Sequence, residues 1–248
     1  KTIDYLFFSY EYRRLFFYRI IYGFKKRYEV TRLKLLGRNF ITPDILSFLS
    51  MYEEIFVKKI YILPEEPKKI LDLGSNIGVS ILWFKENYPN AKIHAYEADP
   101  HIFNILKNNL KEIKNISVYN FAVWDSNTNL NFYNEGSDAG LVKEELKNSS
   151  QLIKAKNIKE ILDTKGPFDF IKIDIEGAEN KVLLACKDKL KKTKYIFCEY
   201  HSFQSQPQNL YKILYFFKQE GFRVHIQSSN ESSNPFTKKV KISEFDML

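Results

Sequence analysis

The sequence is poor in cysteine and has no long uninterrupted hydrophobic run. Its 248 residues include two cysteines, Cys186 and Cys198, which lie 12 positions apart and match no zinc-ligand spacing. A disulfide framework and a structural metal site are therefore not indicated, and a reducing, cytoplasmic compartment is expected. Charged residues interrupt every apolar run before the roughly 18 to 20 residues that a bilayer-spanning helix needs. No transmembrane helix and no signal peptide are predicted.

The positive charge of the chain is unevenly distributed. The formal net charge is +8, which on its own would suggest a nucleic-acid partner. Residues 1–36 contain nine Lys or Arg and three acidic residues, so +6 lies in this segment and +2 in the other 212 residues. Because the rest of the chain is nearly neutral, no nucleic-acid partner is expected.

The composition changes at about residue 66. The first 60 or so residues are crowded with Phe, Tyr and Arg, and they predict helices with mixed basic and aromatic faces. A start signal at residues 42–44 opens one of these helices, and a linker rich in proline and charge follows at 63–68. We predict a helical N-terminal extension over residues 1–66 and a second domain over residues 67–248.

The second domain alternates short apolar runs with helical patterns. This alternation predicts an α/β fold, with a mostly parallel sheet covered by helices. Residues 222–227 and 236–242 are predicted to pair as an antiparallel edge. The other predicted strands are Ile70–Leu73, Lys92–Tyr96, Ile116–Phe121, Phe168–Ile173 and Tyr195–Glu199.

Two of the nine glycines, Gly74 and Gly78, follow the first of these strands. Glycines at such a turn let the backbone approach a ligand and present free amides to it. The G-x-x-x-G spacing differs from the G-x-G-x-x-G pattern of dinucleotide-binding proteins, in which the second glycine makes room for a pyrophosphate. Asp72 places a carboxylate at the same strand end, where it suits a cationic group better than a pyrophosphate.

Glu97 ends the second predicted strand, 23 residues after Gly74. A carboxylate about 20 residues beyond the glycine turn is placed to accept hydrogen bonds from the ribose hydroxyls of a nucleoside. Together with Asp72, it predicts a ligand that is a nucleoside with a cationic amino-acid end. S-Adenosyl-L-methionine (SAM), a sulfonium compound, fits this description.

Five short segments carry a wider resemblance. They are Asp72–Gly78, Glu97–Pro100, Asn120–Val123, Ile171–Glu179 and Glu199–His201. Together, over about residues 68–227, they resemble the FkbM family of SAM-dependent methyltransferases, and the fourth is the most family-specific. The resemblance implies a Rossmann-like class I methyltransferase fold, with a seven-stranded, mostly parallel sheet and an antiparallel last strand. It also implies O-methylation, often of sugar hydroxyls, with S-adenosyl-L-homocysteine (SAH) as product.

The resemblance also implies which residues contact SAM. By position in the motifs, the methionine part would be held by Asp72, Gly74 and Gly78, with Ser75 and Asn76 in the same loop. The ribose would be held by Glu97, with Ala98 beside it. Asn120, Phe121 and Ala122 would border the adenine, and Asp174 would face the SAM from the fourth strand.

Methyl transfer requires an aligned acceptor oxygen and benefits from a nearby base. The candidate catalytic residues are Asp174, Glu176, Glu199 and His201. We favour Asp174 or His201 as the base, with Glu199 orienting it, and a helix-capping role is the alternative for Glu176. Asp174 with Glu199 would suit a divalent ion, but the sequence has no dense acidic cluster, so no metal is expected.

We therefore predict a SAM-dependent O-methyltransferase that acts on a saccharide or glycoconjugate. The alternatives are an RNA methyltransferase that binds by shape and charge and a non-catalytic docking protein with the same fold. Residues 12–27 have the composition of an interfacial helix. They predict contact with an anionic membrane, at its inner face, or with a partner through residues 1–36. Packing on the catalytic domain or across a homodimer is the alternative.

Overall fold

The structure, a computed structural model, describes residues 9–134, 140–143, 151–203 and 207–228. Its helices are α1 (Tyr10–Tyr22), α2 (Ile45–Tyr52), which the π-helical turn Glu53–Val57 extends, α3 (Val79–Asn87), α4 (Pro100–Leu110), α5 (Ile158–Lys165), α6 (Glu179–Ala185) and α7 (Leu210–Gln219). Its strands are β1 (Thr31–Leu35), β2 (Arg38–Thr42), β3 (Lys69–Leu73), β4 (Lys92–Glu97), β5 (Ile116–Asn120), β6 (Ala122–Trp124), β7 (Thr128–Asn134), β8 (Gly140–Lys143), β9 (Gln151–Asn157), β10 (Phe170–Ile173) and β11 (Tyr195–Cys198).

Five parallel strands, in the order β11-β10-β3-β4-β5, form the central sheet. The inner strands β3 and β10 are almost wholly buried, as expected for parallel strands covered on both faces. The predicted α/β fold with a parallel sheet is confirmed, and each of the five predicted strands lies within two residues of its observed bounds. The strand order reverses between β3 and β10, which is where open α/β sheets bind ligands.

The predicted antiparallel edge of this sheet is not confirmed. Residues 222–228 are described and form no strand there. Val224 and Ile226 are exposed, and these residues pair with no described strand. The other predicted edge strand, residues 236–242, lies outside the described residues.

A second sheet, which the sequence analysis did not predict, follows β5. Its order is β6-β9-β7-β8, with β6 parallel to β9 and the other pairs antiparallel. Trp124, Leu130, Phe132 and Ile153 form a small apolar cluster between this sheet and Ala178. The sheet thereby covers one side of the crevice at the carboxyl end of β5.

Residues 31–42 form a β-hairpin, whereas a helix was predicted for this stretch. Leu35 pairs with Arg38, and the two turn residues, Leu36 and Gly37, both have positive φ, 49° and 77°. A two-residue hairpin turn with positive φ at both positions matches the right-handed twist of the strands. Burial alternates along β1, which is the period of a half-buried strand. The aromatic and basic composition concealed this shorter period.

Helices α1 and α2 pack together beside the hairpin. The side chain of Asp44 caps α2 at its predicted start by accepting a hydrogen bond from the Leu46 amide (3.0 Å). The ring of Tyr18 in α1 lies 5.8 Å from that of Phe48 and 5.4 Å from that of Tyr52. These buried aromatic contacts fix α1 against α2.

One hydrophobic cluster crosses the predicted boundary between residues 66 and 67. It joins Phe48 and Tyr52 of the N-terminal segment to Ile70 of β3 and Trp83 of α3. The division into domains 1–66 and 67–248 stays a prediction, but the described residues on its two sides share a core.

Asn109 of α4 adds a polar connection between the same two parts. Its Oδ1 accepts a hydrogen bond from the Ile41 amide (2.9 Å), and its Nδ2 donates to the carbonyls of Ile41 (2.9 Å) and Ile77 (3.0 Å). A buried side chain that satisfies three backbone groups costs stability when it is removed, because those groups lose their partners.

We expect Asn109→Ala to lower the free energy of unfolding by about 1 to 3 kcal/mol. Asn104→Ala, at an exposed position of the same helix, should change it by less than about 0.5 kcal/mol. Urea unfolding followed by circular dichroism would measure both. Equal effects of the two substitutions would contradict the connecting role of Asn109.

Candidate active site

The carboxyl ends of β3, β4, β10 and β11 open into one cavity. Phe132 of the second sheet lines one side of it. Another part of the wall comes from α2 and the π-helical turn, through Met51, Glu54 and Ile55. π-Helical turns often occur at functional sites. The N-terminal segment, in which the sequence showed no motif, therefore forms part of the candidate site.

The loop after β3 lies against the end of β10. Gly74 has a φ of +78°, and a Cβ at this position would lie 1.7 Å from the carbonyl oxygen of Asp174. A residue other than glycine would therefore separate the two strand ends. Ser75 and Asn76 continue along the cavity wall, and Gly78, whose amide donates to the Ser75 carbonyl (2.9 Å), leads into α3.

Glu97 lies in the cavity wall, and each of its carboxylate oxygens accepts a hydrogen bond from a backbone amide. Oε2 accepts from the Asn76 amide (2.8 Å) and Oε1 from the Asp99 amide (2.9 Å). Burial nevertheless raises the pKa of Glu97 to about 7. Each carboxylate oxygen has a second lone pair, so the side chain can still accept hydrogen bonds from a ligand.

The predicted adenine-binding residues follow β5. Phe121 and Ala122 line the cavity, as does Ala98 at the end of β4. The Nδ2 of Asn120 donates to the carbonyls of Glu97 (2.9 Å) and Ala98 (3.1 Å). Asn120 thus connects the ends of β4 and β5, which carry the residues predicted to bind the ribose and the adenine.

A buried lysine, Lys172 of β10, connects the two central strands. Its Nζ lies 3.3 Å from Asp72 Oδ1, 3.2 Å from Asp174 Oδ2 and 2.8 Å from the Gly74 carbonyl oxygen. Asp72 has no exposed surface, and its Oδ2 accepts a hydrogen bond from the Ser80 hydroxyl (2.7 Å). Asp72 therefore supports the loop after β3 indirectly, through its contacts with Lys172 and Ser80.

The charges of this group depend on one another. Burial raises the pKa of Asp72, and the Lys172 ammonium opposes that rise. Burial alone would lower the pKa of Lys172, but the carboxylates of Asp174 and Asp72 outweigh it and hold that pKa well above its usual value. The two carboxylates thus favour the charged form of Lys172, and removing it would leave a buried carboxylate without compensation.

The candidate catalytic residues converge at the ends of β10 and β11. Asp174, Glu176 and Glu199 line the cavity. His201 Nε2 lies 3.4 Å from Glu176 Oε2 and 4.0 Å from Asp174 Oδ1. Glu176 occupies a turn with a φ of 52°, a conformation that is uncommon for a residue with a side chain.

Glu179, which the sequence analysis did not select, makes the orienting contact with His201. Its Oε1 lies 2.9 Å from His201 Nδ1, whereas the orienting role was predicted for Glu199. Glu179 is buried and also accepts from the backbone amides of Gly177 (3.0 Å) and Ile175 (3.3 Å). With Nδ1 held in this way, His201 directs Nε2 toward Asp174 and Glu176.

Crowding of carboxylates changes the proton affinities here. The charge of Asp174, together with burial, raises the pKa of Glu199 to about 7, and burial raises the pKa of Glu176 to about 8 despite the neighbouring His201. Burial would lower the pKa of His201, but its hydrogen bond to Glu179 and the charge of Glu176 raise it to about 10. The hydrogen bond to Glu179 and the neighbouring carboxylates therefore favour the protonated form of His201.

Asp174, Glu176 and His201 also form a geometric candidate for a metal site. Each offers one nitrogen or oxygen atom, and these atoms lie within 4.8 Å of one another. The ligand types suit several divalent ions. The sequence-based prediction that no metal is needed stays a prediction.

Most predicted site residues lie in the cavity wall, and the others contact a residue that does. The supporting residues are Asp72, Gly78, Asn120 and His201. The wall contains Gly74, Ser75, Asn76, Glu97, Ala98, Phe121, Ala122, Asp174, Glu176 and Glu199. Glu54, Lys172 and Glu179 also belong to the site and were not among the predicted residues. Lys172 could have been found, because it lies within the buried run I-K-I-D and a lysine is almost never fully buried unless it is paired.

A family model described as the methyltransferase FkbM domain matches residues 72–224. The chain belongs to the FkbM methyltransferase family. The match covers more than half of the chain and agrees with the extent predicted from the motifs, about residues 68–227. As a family member, the protein is an enzyme that transfers methyl groups, and the family implies SAM as the donor.

Individual relatives of this FkbM family member are distant. The 2-O-methyltransferase NoeI of Sinorhizobium fredii is 24% identical over 164 residues, which cover 58% of this chain and 68% of NoeI. Methyltransferase 1 of Beauveria bassiana is 29% identical over 168 residues, covering 56% of this chain and 67% of the relative. The crystal structure of an FkbM methyltransferase from Methylobacillus flagellatus KT is 17% identical, with a TM-score of 0.47. That comparison covers 70% of this chain and 48% of the solved chain.

We expect Lys172→Met to lower the free energy of unfolding by about 3 to 5 kcal/mol, because Asp72 would keep a buried, uncompensated charge. Adding Asp72→Asn to Lys172→Met should recover part of the loss. Lys189→Met, which breaks a surface pair with Asp163, should cost less than about 1 kcal/mol. Denaturant unfolding would measure all three. A loss no larger for Lys172→Met than for Lys189→Met would refute the role of Lys172.

Proposed function

We propose that the enzyme transfers a methyl group from SAM to a hydroxyl of a saccharide or glycoconjugate. The observation that carries the proposal is the set of carboxylates at the cavity end opposite the predicted adenine region. These belong to Glu54, Asp174, Glu176 and Glu199. The name of NoeI, a 2-O-methyltransferase, supports oxygen as the methylated atom.

The residues of the cavity fit SAM. The ribose hydroxyls would donate to Glu97, and the methionine part would lie along the loop of Gly74, Ser75 and Asn76. The adenine would lie against Phe121 and Ala122. The carboxylates beyond the loop suit the positive charge of the sulfonium. When bound, SAM supplies an electrophilic methyl group for attack by the acceptor oxygen.

The acidic character of the acceptor end favours a neutral polyol. Burial raises the pKa of Glu54, and the nearby charge of Asp174 raises it further. Glu54 in turn contributes to the raised pKa of Glu199. Carboxylates accept hydrogen bonds from the hydroxyls of a sugar, whereas they repel the phosphates of RNA. This wall therefore disfavours the RNA alternative.

Asp174 is the proposed base. Its carboxylate would take the proton of the acceptor hydroxyl as the oxygen forms its new bond to the methyl carbon and the carbon–sulfur bond breaks. The methylated product, SAH and a neutral Asp174 would result. His201, protonated and held by Glu179, would balance the charge of Asp174 before that step. Lys172 would fix the position of Asp174 through the contact at Oδ2.

The raised pKa of Glu97 predicts how cofactor affinity depends on pH. As pH rises from 6 to 8, Glu97 changes from mostly neutral to mostly ionised, and the ionised form accepts both ribose hydroxyls. We expect SAH to bind about tenfold more tightly at pH 8 than at pH 6. Titration calorimetry at both pH values would measure this.

Two variants identify the group responsible. Glu97→Gln should bind SAH weakly, with little dependence on pH, whereas Glu199→Gln should keep the wild-type dependence. The assignment of the ribose to Glu97 would be untenable if Glu97→Gln kept the full tenfold change.

The function itself is tested by transfer from isotopically labelled SAM to a panel of oligosaccharides and nucleotide sugars, read by mass spectrometry. We expect a methylated saccharide as product. Asp174→Asn should lower turnover by at least about 100-fold, since a positioned base typically contributes that much, and SAH affinity should change by less than about threefold. Parallel reactions with EDTA and with added Mg²⁺ would test the metal site.

Asp163→Asn, an exposed carboxylate of α5, is the matched control and should retain full turnover. Methylation of RNA and of no saccharide would overturn the proposed substrate class. Unchanged turnover of Asp174→Asn would remove Asp174 from the mechanism while leaving the substrate class intact.

A further inference from the structure

Helix α1 is apolar on two opposite faces. One face buries Leu15 and Tyr18 against α2. With 3.6 residues per turn, Ile20 lies nearly opposite Tyr18. The exposed apolar side chains on that outer side and just beyond the helix are Tyr10, Phe16, Phe17, Ile20, Ile21 and Phe24, with exposed fractions between 45% and 93%. Soluble proteins rarely leave so large a contiguous apolar surface in water unless it binds something.

Cations accompany this apolar surface. Arg13 lies within the exposed stripe, and Lys26 follows Phe24; both are exposed, and neither forms an ion pair with a described residue. Residues 9–34 contain eight Lys or Arg and two acidic residues. A helix with exposed aromatic and aliphatic side chains beside basic residues has the composition of helices that lie in the headgroup region of a bilayer.

The attachment of α1 fixes how it would meet a flat surface. Its contacts with the protein extend along its length, because Glu11 accepts a hydrogen bond from the Tyr52 hydroxyl near one end and Arg19 pairs with Glu53 (2.7 Å) near the other. The helix therefore lies flat on the protein and presents its outer side along its length. No helix within the described ranges has both the length and the apolarity that a bilayer crossing requires.

We propose that α1, together with residues 23–30, docks the enzyme on the surface of an anionic bilayer. The aromatic and aliphatic side chains enter the headgroup region, and the basic residues contact anionic lipid headgroups. A second copy of the chain fits less well, because a two-fold contact through this face would bring the same cations together.

The docking surface adjoins the candidate active site. Helix α1 packs on α2 and the π-helical turn, whose Met51, Glu54 and Ile55 line the cavity. Docking would hold this wall close to the membrane, where a lipid-linked saccharide is presented. That choice of acceptor rests on the proposed function, whereas the docking itself does not.

The test is co-sedimentation of the full chain with vesicles of phosphatidylcholine alone or with about one third phosphatidylglycerol. We expect binding to the anionic vesicles that weakens at 0.5 M NaCl, and little binding to the neutral ones. The triple substitution Phe17→Ser, Ile20→Ser and Phe24→Ser should reduce the bound fraction at least about tenfold, because it removes the inserted side chains. Arg13→Glu with Lys26→Glu should also reduce it.

The matched control is Ile62→Ser with Tyr211→Ser and Tyr215→Ser, three exposed apolar positions outside α1, and it should bind as the wild type does. SAH affinity and the unfolding midpoint, measured on every variant, confirm that the fold is intact. Equal vesicle binding by the triple variant and the wild type would overturn the proposal. So would a wild type that ignores anionic vesicles but forms a dimer, detected by light scattering, that the triple variant lacks. Neither result depends on which acceptor the enzyme methylates.

Discussion

The ammonium of Lys172 is the interaction on which the candidate site depends. It is buried where β3 and β10 lie side by side, and it contacts a carboxylate at the end of each strand. Without that cation, Asp72 and Asp174 would repel one another through a medium that screens charge poorly. The Lys172 cation holds the proposed cofactor loop and the proposed base in place relative to one another. Because Gly74 has no side chain, the loop can lie directly against the backbone of Asp174.

The sequence predicted the parallel sheet well because its inner strands are buried on both faces. Runs such as Ile70–Leu73 have few interpretations other than a core strand, and the glycine loop and Glu97 follow from strand ends. The hairpin of residues 31–42 was not predicted, although the alternation in T-R-L-K-L and the glycine of the turn were readable. The abundance of Arg and Tyr around it favoured a helix. The hydrogen bonds between Asn109 and the backbone of Ile41, which support the hairpin, are visible only in the structure.

The site residues that were missed interact with partners distant in the sequence. Glu179 belongs to the quoted family motif, but its partner His201 lies 22 positions further along and on another strand end. Glu54 is more distant still from the motifs, and no spacing rule connects it to Asp174. Lys172 gave a signal of its own as a lysine within an apolar run, but the sequence alone does not identify its partners Asp72 and Asp174. Such pairs are visible only once the topology has brought the strand ends together.

The wall formed by Met51, Glu54 and Ile55 has a consequence for how relatives should be compared. The residues that match the family model begin at 72, whereas this wall precedes them. Two members with equal similarity over the matched region can therefore differ in this part of the cavity wall. Family membership specifies the reaction, whereas part of the cavity wall lies outside the residues that the family model matches.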